Sequence, residues 1–276
     1  MITVVGYDGS PLPVGASAAL AAATLVVGGA RHLAAAPVPP GARTVVVGDV
    51  HAAVRELAAH DGDSVVLASG DPGFFGIVRR LRAAGLTPVV VPAVTSVAQA
   101  FARVGLPWDD AVVVSAHGRD PRPALNACRA AGKVAVLTGP GCGPAEVAAA
   151  VDGWSRELVV AECLGEPGER VVRLPVAEVA GREWADPNVV LVLRDEGIAA
   201  EPGWLVGAPP APVGWALPEA AYAHRNSMIT KAEVRALVLA RLAPRLGELV
   251  WDVGAGSGSV AVECARFGAA VVAVER

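Results

Sequence analysis

Aromatic residues are scarce in this sequence, since only 4% of its 276 residues are Phe, Trp or Tyr. Lysine is scarcer still, with two positions, Lys133 and Lys231, and no block of basic residues occurs anywhere. The formal net charge is −4. Proteins that bind nucleic acids neutralise phosphates with basic patches, so this composition excludes nucleic acid as the main partner.

Cysteine is also rare, and its four positions, Cys128, Cys142, Cys163 and Cys264, lie far apart. No two of them form a C-x-x-C pair, and no histidine stands at a ligand spacing from them. The pattern therefore predicts neither a zinc site nor a disulfide framework, and we expect no metal. Reduced, buried thiols are typical of a cytoplasmic enzyme.

Long hydrophobic runs are missing as well. The longest stretch of small and apolar residues is Val14 to Ala30, which is mostly Ala with Gly, Ser and Thr inside. It predicts a helix followed by a strand rather than a membrane span, and we expect no membrane as a partner. The first residues, Met1 to Val5, carry no basic region ahead of their apolar run, so they do not predict a signal peptide. The 53% hydrophobic content, rich in Ala, Val and Leu, favours an α/β protein with a buried parallel sheet.

The most informative stretch of the first half is Ser69 to Gly76, which reads Ser-Gly-Asp-Pro-Gly-Phe-Phe-Gly. An apolar, β-branched run before it, Ser64 to Ala68, predicts a buried strand, and Ile77 to Ala84 after it predicts a helix. In open α/β sheets, ligands bind at the carboxyl ends of strands, where such loops lie.

Within this loop, Gly70 and Asp71 are candidate binding residues for a polar ligand. The alternative is that Asp71 caps the following helix and that Phe74 and Phe75 are core residues. The loop alone does not decide between the two interpretations.

Three further loops follow predicted strands. The strand Ile2 to Val5 opens into a glycine turn that begins at Gly6. Thr95 and Ser96 start a helix, where hydroxyl groups either cap the orphan amides or bind an anionic group of a ligand. His117 and Arg119 lie in a loop after a short strand, where a single histidine is more often structural.

The order of predicted elements indicates two lobes. The first part alternates strands and helices, whereas Leu158 to Glu162 and Glu169 to Leu174 predict a β-pair in a β-richer second part. We expect one lobe with a parallel sheet and one with a mixed sheet, with a cleft between them.

The last part of the chain has a different character. Prolines crowd residues 199–218 with little apolar periodicity, which predicts a semi-rigid linker. Beyond it, Ala232 to Leu242 has helical spacing. Thr230 fits the N-cap of this helix and Glu233 stands three residues later, as in a capping box.

A strand that ends in Asp252 leads into Gly254-Ala255-Gly256-Ser257-Gly258, and the next strand ends in Glu275. The glycines let the backbone approach a ligand closely, and an acidic side chain at Glu275 can accept hydrogen bonds from both hydroxyls of a ribose. A dinucleotide fingerprint would need glycine where Ser259 stands. The motif is therefore typical of a methyltransferase.

Several motifs follow one another in the order seen in tetrapyrrole methylases. They are Val4-Val5-Gly6, Ser69 to Phe75, Pro92 to Ser96, Gly105 to Asp110, Ser115 to Arg119 and Thr138-Gly139-Pro140. The chain resembles the branch of this family that methylates precorrin-6Y in cobalamin synthesis. The resemblance implies that S-adenosylmethionine binds between two α/β lobes.

The same resemblance gives Gly6, Gly70, Asp71, Thr95 and Ser96 a role in cofactor binding. It also makes a homo-oligomer the expected state. The family usually has Gly-x-Gly-Pro-Gly after the first strand, whereas this chain has Gly-Tyr-Asp-Gly-Ser there.

Residues 222–276 resemble the start of the decarboxylating partner methylase, which is fused to the first in some organisms. The expected fold class is thus α/β: a two-lobed tetrapyrrole methylase fold (1–198), the linker (199–218) and the first strands and helices of a Rossmann-type methyltransferase domain (219–276).

The resemblance implies that Thr230, Gly254 to Gly258 and Glu275 bind a second cofactor molecule. It also implies methylation of carbon 5 by the first domain, and of carbon 15 with loss of the ring C acetate carboxyl by the second when complete. Because that domain looks incomplete in this sequence, we expect only the first activity.

Methyl transfer from a sulfonium needs positioning and a dry site more than a nucleophilic side chain, which agrees with the absence of a Ser/His/Asp or Cys/His pattern. We therefore predict no catalytic residue. His117 and Arg119 are candidates for binding the carboxylates of the substrate. Two alternatives are an NAD-dependent oxidoreductase, which Ser259 disfavours, and a non-catalytic module that holds a tetrapyrrole.

Overall fold

The computed structural model describes residues 1–194, 212, 214–224 and 228–276. These form two compact units. Unit 1 comprises Met1–Arg103 and Cys163–Glu169, and unit 2 comprises Val104–Glu162 and Arg170–Arg276. Most of the predicted linker, and the predicted domain end at residue 198, lie outside the described residues.

Unit 1 is built on a parallel sheet of five strands, in the order β3-β2-β4-β1-β5. Val4 and Val5 of β1 are both fully buried, because helices cover both faces of the sheet. The strands are β1 (Ile2–Tyr7), β2 (Leu25–Gly28), β3 (Arg43–Val46), β4 (Ser64–Ser69) and β5 (Val89–Val91).

Five helices accompany this sheet. They are α1 (Val14–Ala22), α2 (Ala30–Ala35), α3 (Val50–Ala58), α4 (Val78–Ala83) and α5 (Ser96–Arg103). Successive residues of a strand point to opposite faces, so Val4 packs in one core cluster with Leu57 of α3 and Leu81 of α4, and Val5 packs in another with Leu20 of α1. The sequence did not predict α2, which is short and has no apolar periodicity.

Unit 2 contains a mixed sheet in the order β6-β7-β10-β8-β9, in which only β6 and β7 pair in parallel. This confirms the predicted contrast between a parallel and a mixed sheet. The strands are β6 (Val112–Ser115), β7 (Lys133–Leu137), β8 (Arg156–Glu162), β9 (Arg170–Pro175) and β10 (Asn188–Arg194). Helices α6 (Arg122–Ala130), α7 (Pro144–Val151) and α8 (Val176–Ala180) accompany them.

The last part of unit 2 is a second, smaller α/β element. It contains α9 (Ala232–Leu242), β11 (Leu249–Val253), α10 (Ser259–Arg266) and β12 (Ala270–Val274), and β11 pairs in parallel with β12. It packs on α6, where the Asn126 side-chain amide donates to the carbonyl of Gly247 over 3.0 Å. The predicted capping box is wrong: the N-cap of α9 is Lys231, without a side-chain hydrogen bond, because the turn begins one residue after Thr230.

None of the helices in the described ranges is long and apolar enough to cross a membrane.

Candidate functional site

Three loops of unit 1 meet at the carboxyl edge of its sheet. The Gly70 amide donates to the carbonyl of Tyr7 over 2.8 Å, which ties the loop after β4 to the end of β1. A Cβ atom at Gly6 would lie 2.5 Å from the Gly70 oxygen and 2.7 Å from the Ala93 nitrogen. Gly6 is therefore required here because the loops after β4 and β5 close in on it.

Asp71 does not cap a helix. Its Oδ1 accepts a hydrogen bond from the amide of Gly73 over 2.7 Å, and α4 begins later, after Ile77, without a side-chain cap. Phe75 is 41% exposed and has a φ of 54°, so it is not the core residue of the alternative interpretation. The loop instead presents the half-buried Asp71 carboxylate and an aromatic side chain at the edge of the sheet.

Thr95 and Ser96 pack against this loop. A Cβ atom at Gly70 would lie 3.4 Å from both the Ser96 nitrogen and the Thr95 Cα. The Thr95 hydroxyl accepts from the Ala98 amide over 3.0 Å, so Thr95 does cap α5. Its hydroxyl hydrogen can still be donated to a ligand, because a hydroxyl is both donor and acceptor.

Asp8 is a polar residue of this edge that the sequence did not single out. Its Oδ1 accepts from the Ser10 amide over 3.0 Å and its Oδ2 from the Val94 amide over 3.1 Å, which links the loops after β1 and β5. Burial alone would raise the pKa of Asp8, but the hydrogen bonds to its carboxylate, chiefly those from the Ser10 and Val94 amides, together outweigh burial and lower that pKa below its ordinary value.

A cavity of about 370 Å³ opens beside Asp8. This volume lies within the range of small-molecule sites, roughly 300–1,000 Å³. Its walls come from the loops after β1 and β5 of unit 1: Gly6, Asp8, Ser10, Pro11, Leu12, Pro13, Pro92, Ala93 and Val94.

A second polar group missed by the sequence analysis lies on the other side of β4. Arg31 Nη2 donates to Ser69 Oγ over 2.7 Å, and Arg31 Nη1 lies 2.8 Å from a carboxylate oxygen of Glu166. His32 Nε2 is 3.2 Å from the same Ser69 Oγ, and the His32 ring meets the edge of the Tyr7 ring at 5.8 Å.

His32 is 7% exposed, and burial, together with the charge of Arg31, lowers its pKa to about 4. Its imidazole is therefore neutral near pH 7. The signal that could have found this group is the polar pair Arg31-His32, which comes directly after a predicted strand.

The loop Cys163–Glu169 contributes to unit 1 at the same edge. Gly9 and Gly165 are in such close contact that a Cβ atom at Gly9 would lie 1.9 Å from the Gly165 oxygen. Arg103 Nη2 donates to a Glu169 carboxylate oxygen over 3.1 Å. Together with the Arg31–Glu166 ion pair, these contacts fix the loop to unit 1.

In unit 2, His117 and Arg119 lie in the exposed loop after β6. A Cβ atom at Gly139 would lie 2.8 Å from the Cα of His117, so Gly139 leaves room for this loop. Next to it, Asp120 and Arg122 form an ion pair of 2.6 Å.

The glycine loop after β11 is held by Glu275. The Gly256 amide donates to Glu275 Oε2 over 2.7 Å, and this hydrogen bond lowers the pKa of the Glu275 carboxyl. Gly254, Gly256 and Gly258 have φ angles of 78°, 55° and 69°, and no atom lies within 4 Å of where a Cβ would stand on any of them. The loop is thus open on the side where a ligand would approach.

Two other polar residues of this part have structural contacts. Asp252 Oδ2 accepts from the Ala261 amide over 3.1 Å, which binds the end of β11 to α10. Thr230 is exposed, and its carbonyl accepts from Arg235.

On α10, the helix that follows the glycine loop, Glu263 is fully buried. It accepts from the Leu217 amide over 2.7 Å, from the Tyr222 hydroxyl over 2.7 Å and from Arg266 over 2.8 Å. Burial would raise the pKa of Glu263, but these donors outweigh it and lower that pKa. Burial and the neighbouring carboxylate raise the pKa of Tyr222 to about 12.

Within the described ranges, no cluster of three or more His, Cys, Asp or Glu side chains could hold a metal ion.

Residues 5–180 match the family model of tetrapyrrole (corrin/porphyrin) methylases, and residues 220–276 match a precorrin methyltransferase domain. The chain is 38% identical, over 279 aligned residues, to a precorrin-6Y C(5,15)-methyltransferase (decarboxylating) from a Sinorhizobium species. That alignment covers 94% of this chain but only 62% of the relative, so the chain spans about three fifths of that protein's length.

The alignments with two other proteins cover nearly the full length of those proteins. The cobalt-precorrin-7 C(5)-methyltransferase of Salmonella typhimurium is 37% identical over 204 residues, which is 71% of this chain and 100% of that protein. The crystal structure of uroporphyrin-III C-methyltransferase from Thermus thermophilus, complexed with S-adenosyl homocysteine, is 26% identical with a TM-score of 0.51. That alignment covers 70% of this chain and 91% of the chain in the crystal structure.

Proposed function

This chain belongs to the tetrapyrrole methylase family, and from that premise we propose that it methylates carbon 5 of a precorrin with S-adenosylmethionine as methyl donor. The observation that carries the proposal is the 37% identity to a C(5)-methyltransferase along that protein's full length. The family model of tetrapyrrole methylases, which matches residues 5–180, covers the convergent loops of unit 1.

We assign cofactor binding in unit 1 to Gly6, Gly70, Asp71, Thr95 and Ser96. The residues fit the group: Gly6 and Gly70 let the three loops approach one another, and Asp71 offers a carboxylate acceptor for hydroxyl or amino groups. The cofactor would supply an electrophilic methyl group on a sulfonium. The protein's contribution is then to orient the ligands and exclude water, as the closely packed loop backbones would do.

A second proposal concerns the last part of the chain. Thr230, Gly254, Ala255, Gly256, Ser257, Gly258 and Glu275 would bind a second S-adenosylmethionine. The open glycine loop beside Glu275 supports this assignment. In line with the name of the Sinorhizobium relative, a decarboxylating C(5,15)-methyltransferase, this part would belong to a domain that methylates carbon 15 and decarboxylates the substrate. The family resemblance implies that the carboxyl group lost is that of the ring C acetate.

For the substrate, we propose that His117 and Arg119 bind carboxylate side chains of the macrocycle. A guanidinium pairs with a carboxylate through two parallel hydrogen bonds, which fits a tetrapyrrole that carries acetate and propionate groups. We also propose that the protein is a cytoplasmic homo-oligomer, as expected of the family.

The test is to titrate the 276-residue chain with S-adenosylhomocysteine in a calorimeter, with NAD as the control nucleotide. A second measurement incubates the chain with S-adenosylmethionine and precorrin-6Y and determines the product mass. We expect binding of S-adenosylhomocysteine, none of NAD, and a product whose mass has increased by one methyl group. Binding of NAD alone would favour an oxidoreductase, and tetrapyrrole binding without methyl transfer would favour a holding module.

A further inference from the structure

Ser69 is the last residue of β4 and stands directly before Gly70 and Asp71. Its side chain is exposed, yet two nitrogen groups approach its Oγ, Arg31 Nη2 at 2.7 Å and His32 Nε2 at 3.2 Å. Ser69 pairs in register with Tyr7 of β1, whose carbonyl accepts from the Gly70 amide. The hydroxyl therefore lies at a fixed place on the edge where the loops of the proposed cofactor site converge.

The direction of the hydrogen bond between His32 and Ser69 follows from the other nitrogen of the ring. His32 Nδ1 is buried and has no hydrogen-bond partner among the described residues. A buried N–H without a partner costs more than a buried lone pair without one. The hydrogen of the neutral ring therefore belongs on Nε2, and His32 donates to Ser69.

Arg31 can only donate, so both lone pairs of Ser69 Oγ are occupied by N–H groups. The Ser69 hydroxyl hydrogen is then left without an acceptor in the described part of the chain. Because the two N–H groups face the lone pairs of the oxygen, the hydroxyl hydrogen points away from Arg31 and His32. The Ser69 hydroxyl is thus an oriented hydrogen-bond donor that has no acceptor among the described residues.

On the basis of the proposed function, we propose that the Ser69 hydroxyl donates a hydrogen bond to a carboxylate oxygen of a bound ligand. In this arrangement, Arg31 and His32 are positioning residues that act through Ser69. Both ligands of the proposed reaction carry carboxylates: the amino-acid end of S-adenosylmethionine and the acetate and propionate groups of the tetrapyrrole. The Glu166 carboxylate, 2.8 Å from Arg31, holds the guanidinium in place for this task.

The experiment compares wild type with Ser69→Ala and Ser69→Thr in the full chain. Ser17→Ala is the matched control, because Ser17 is also exposed but its hydroxyl only meets the Leu12 carbonyl in the same unit. Calorimetry gives the Kd of S-adenosylhomocysteine and of 5′-methylthioadenosine, which lacks the amino-acid carboxylate. Steady-state kinetics give the KM of precorrin-6Y, and thermal melting checks the fold.

Loss of one charge-assisted hydrogen bond should weaken the affected ligand about tenfold in Ser69→Ala, while Ser69→Thr and Ser17→Ala stay within about twofold. If the cofactor carboxylate is the acceptor, the Kd of S-adenosylhomocysteine rises and that of 5′-methylthioadenosine does not. If a tetrapyrrole carboxylate is the acceptor, the KM of precorrin-6Y rises and both Kd values are unchanged. If both Kd values and the KM of Ser69→Ala match wild type, the inference is wrong.

The positioning role has its own readout. His32→Gln retains an N–H that can reach Ser69, whereas His32→Leu removes it. We expect His32→Gln to keep the wild-type Kd of S-adenosylhomocysteine and the wild-type KM of precorrin-6Y. His32→Leu should raise whichever of these two values Ser69→Ala raises, by a smaller factor. Equal constants in the two variants would overturn the positioning role. A wild-type chain that neither binds S-adenosylhomocysteine nor transfers a methyl group would instead refute the proposed function.

Discussion

Glycines stand at the ends of β1 in unit 1 and β11 in unit 2, and they are needed for opposite reasons. Gly6 lies in an extended strand, but the neighbouring loops leave no room for a Cβ, with backbone atoms at 2.5 and 2.7 Å. At Gly254, Gly256 and Gly258 no atom lies within 4 Å of where a Cβ would stand, but their positive φ angles are unfavourable for other residues. The first region is thus fixed by contacts between backbones, and the second is an open loop held by the carboxylate of Glu275.

The comparison teaches where to look for a ligand. In the first region the glycines bring protein segments together, so a ligand must use the surface beside them, where the cavity next to Asp8 lies. In the second region the space above the glycines is itself open. The same residue type therefore predicts a crowded junction in one case and an open binding surface in the other.

The largest effect is expected for Gly6→Ala. Its methyl group would overlap the Gly70 and Ala93 backbones, and such overpacking costs about 3 kcal/mol of unfolding free energy. Urea denaturation measures the loss. The control is Gly15→Ala in α1, where no atom lies within 4 Å of the Cβ and helix propensity predicts a gain of up to about 1 kcal/mol. Equal stabilities of the two variants would contradict the crowded junction.

Asp71→Ala should affect binding more than folding. If Asp71 contacts the cofactor, the Kd of S-adenosylhomocysteine rises by about 30-fold, equivalent to about 2 kcal/mol. Asp49→Ala is a matched control, because Asp49 also accepts from the amide two residues later, His51, at 2.9 Å, but serves as the N-cap of α3. It should lower stability by about 1 kcal/mol and leave binding unchanged. If Asp71→Ala lowers stability and leaves the Kd of S-adenosylhomocysteine unchanged, Asp71 has a structural role.

Acidification should destabilise α10 and the strands on either side of it. The lowered pKa of Glu263 means that its ionised form stabilises the fold, so this contribution is present above the ordinary pKa of 4.5 and is lost as the pH falls through the lowered value. Hydrogen exchange of residues 249–276 between pH 6 and pH 3 measures it. Glu263→Gln should cost about 1–2 kcal/mol at pH 7 and weaken this pH dependence, whereas the exposed Glu233→Gln should do neither. A pH profile of Glu263→Gln like that of wild type would refute the role of the carboxylate.

The smallest effect is expected for Gly256→Ala. The added methyl group meets no atom, so the cost is only that of the left-handed backbone, about 1 kcal/mol. Hydrogen exchange of the loop should rise slightly. S-adenosylhomocysteine binding to this loop should fall more than stability does, because the methyl group occupies the open side. A loss of stability as large as that of Gly6→Ala would abolish the contrast between the regions.

Local elements were readily predicted from the sequence. The bounds of α9 match the predicted range, and β4 extends only one residue past its predicted end at Ala68, because the first has helical spacing and the second is an uninterrupted apolar run. The short helix α2 was missed, because six residues rich in alanine show no period. The candidate loops were found because strand ends and glycines are local signals.

The long-range contacts at the candidate site could not be predicted. Asp8 bonds the amide of Val94, and His32 bonds Ser69, across separations at which no local pattern connects the two residues. The Thr230 capping box was a plausible local pattern that the fold did not use, since Lys231 occupies the N-cap. Sequence patterns thus located the loops, but not which side chains join them.

The loop Cys163–Glu169 has a consequence for how the chain is made. The flanking strands β8 and β9 belong to unit 2, but the loop itself belongs to unit 1. There Gly165 contacts Gly9, and Glu169 accepts a hydrogen bond from Arg103. A ribosome that has released residue 103 has therefore not yet supplied all of unit 1. The carboxyl edge of its sheet acquires its last partners only when residue 169 has emerged, so the proposed cofactor site matures after Val104–Glu162 of unit 2 has been synthesised.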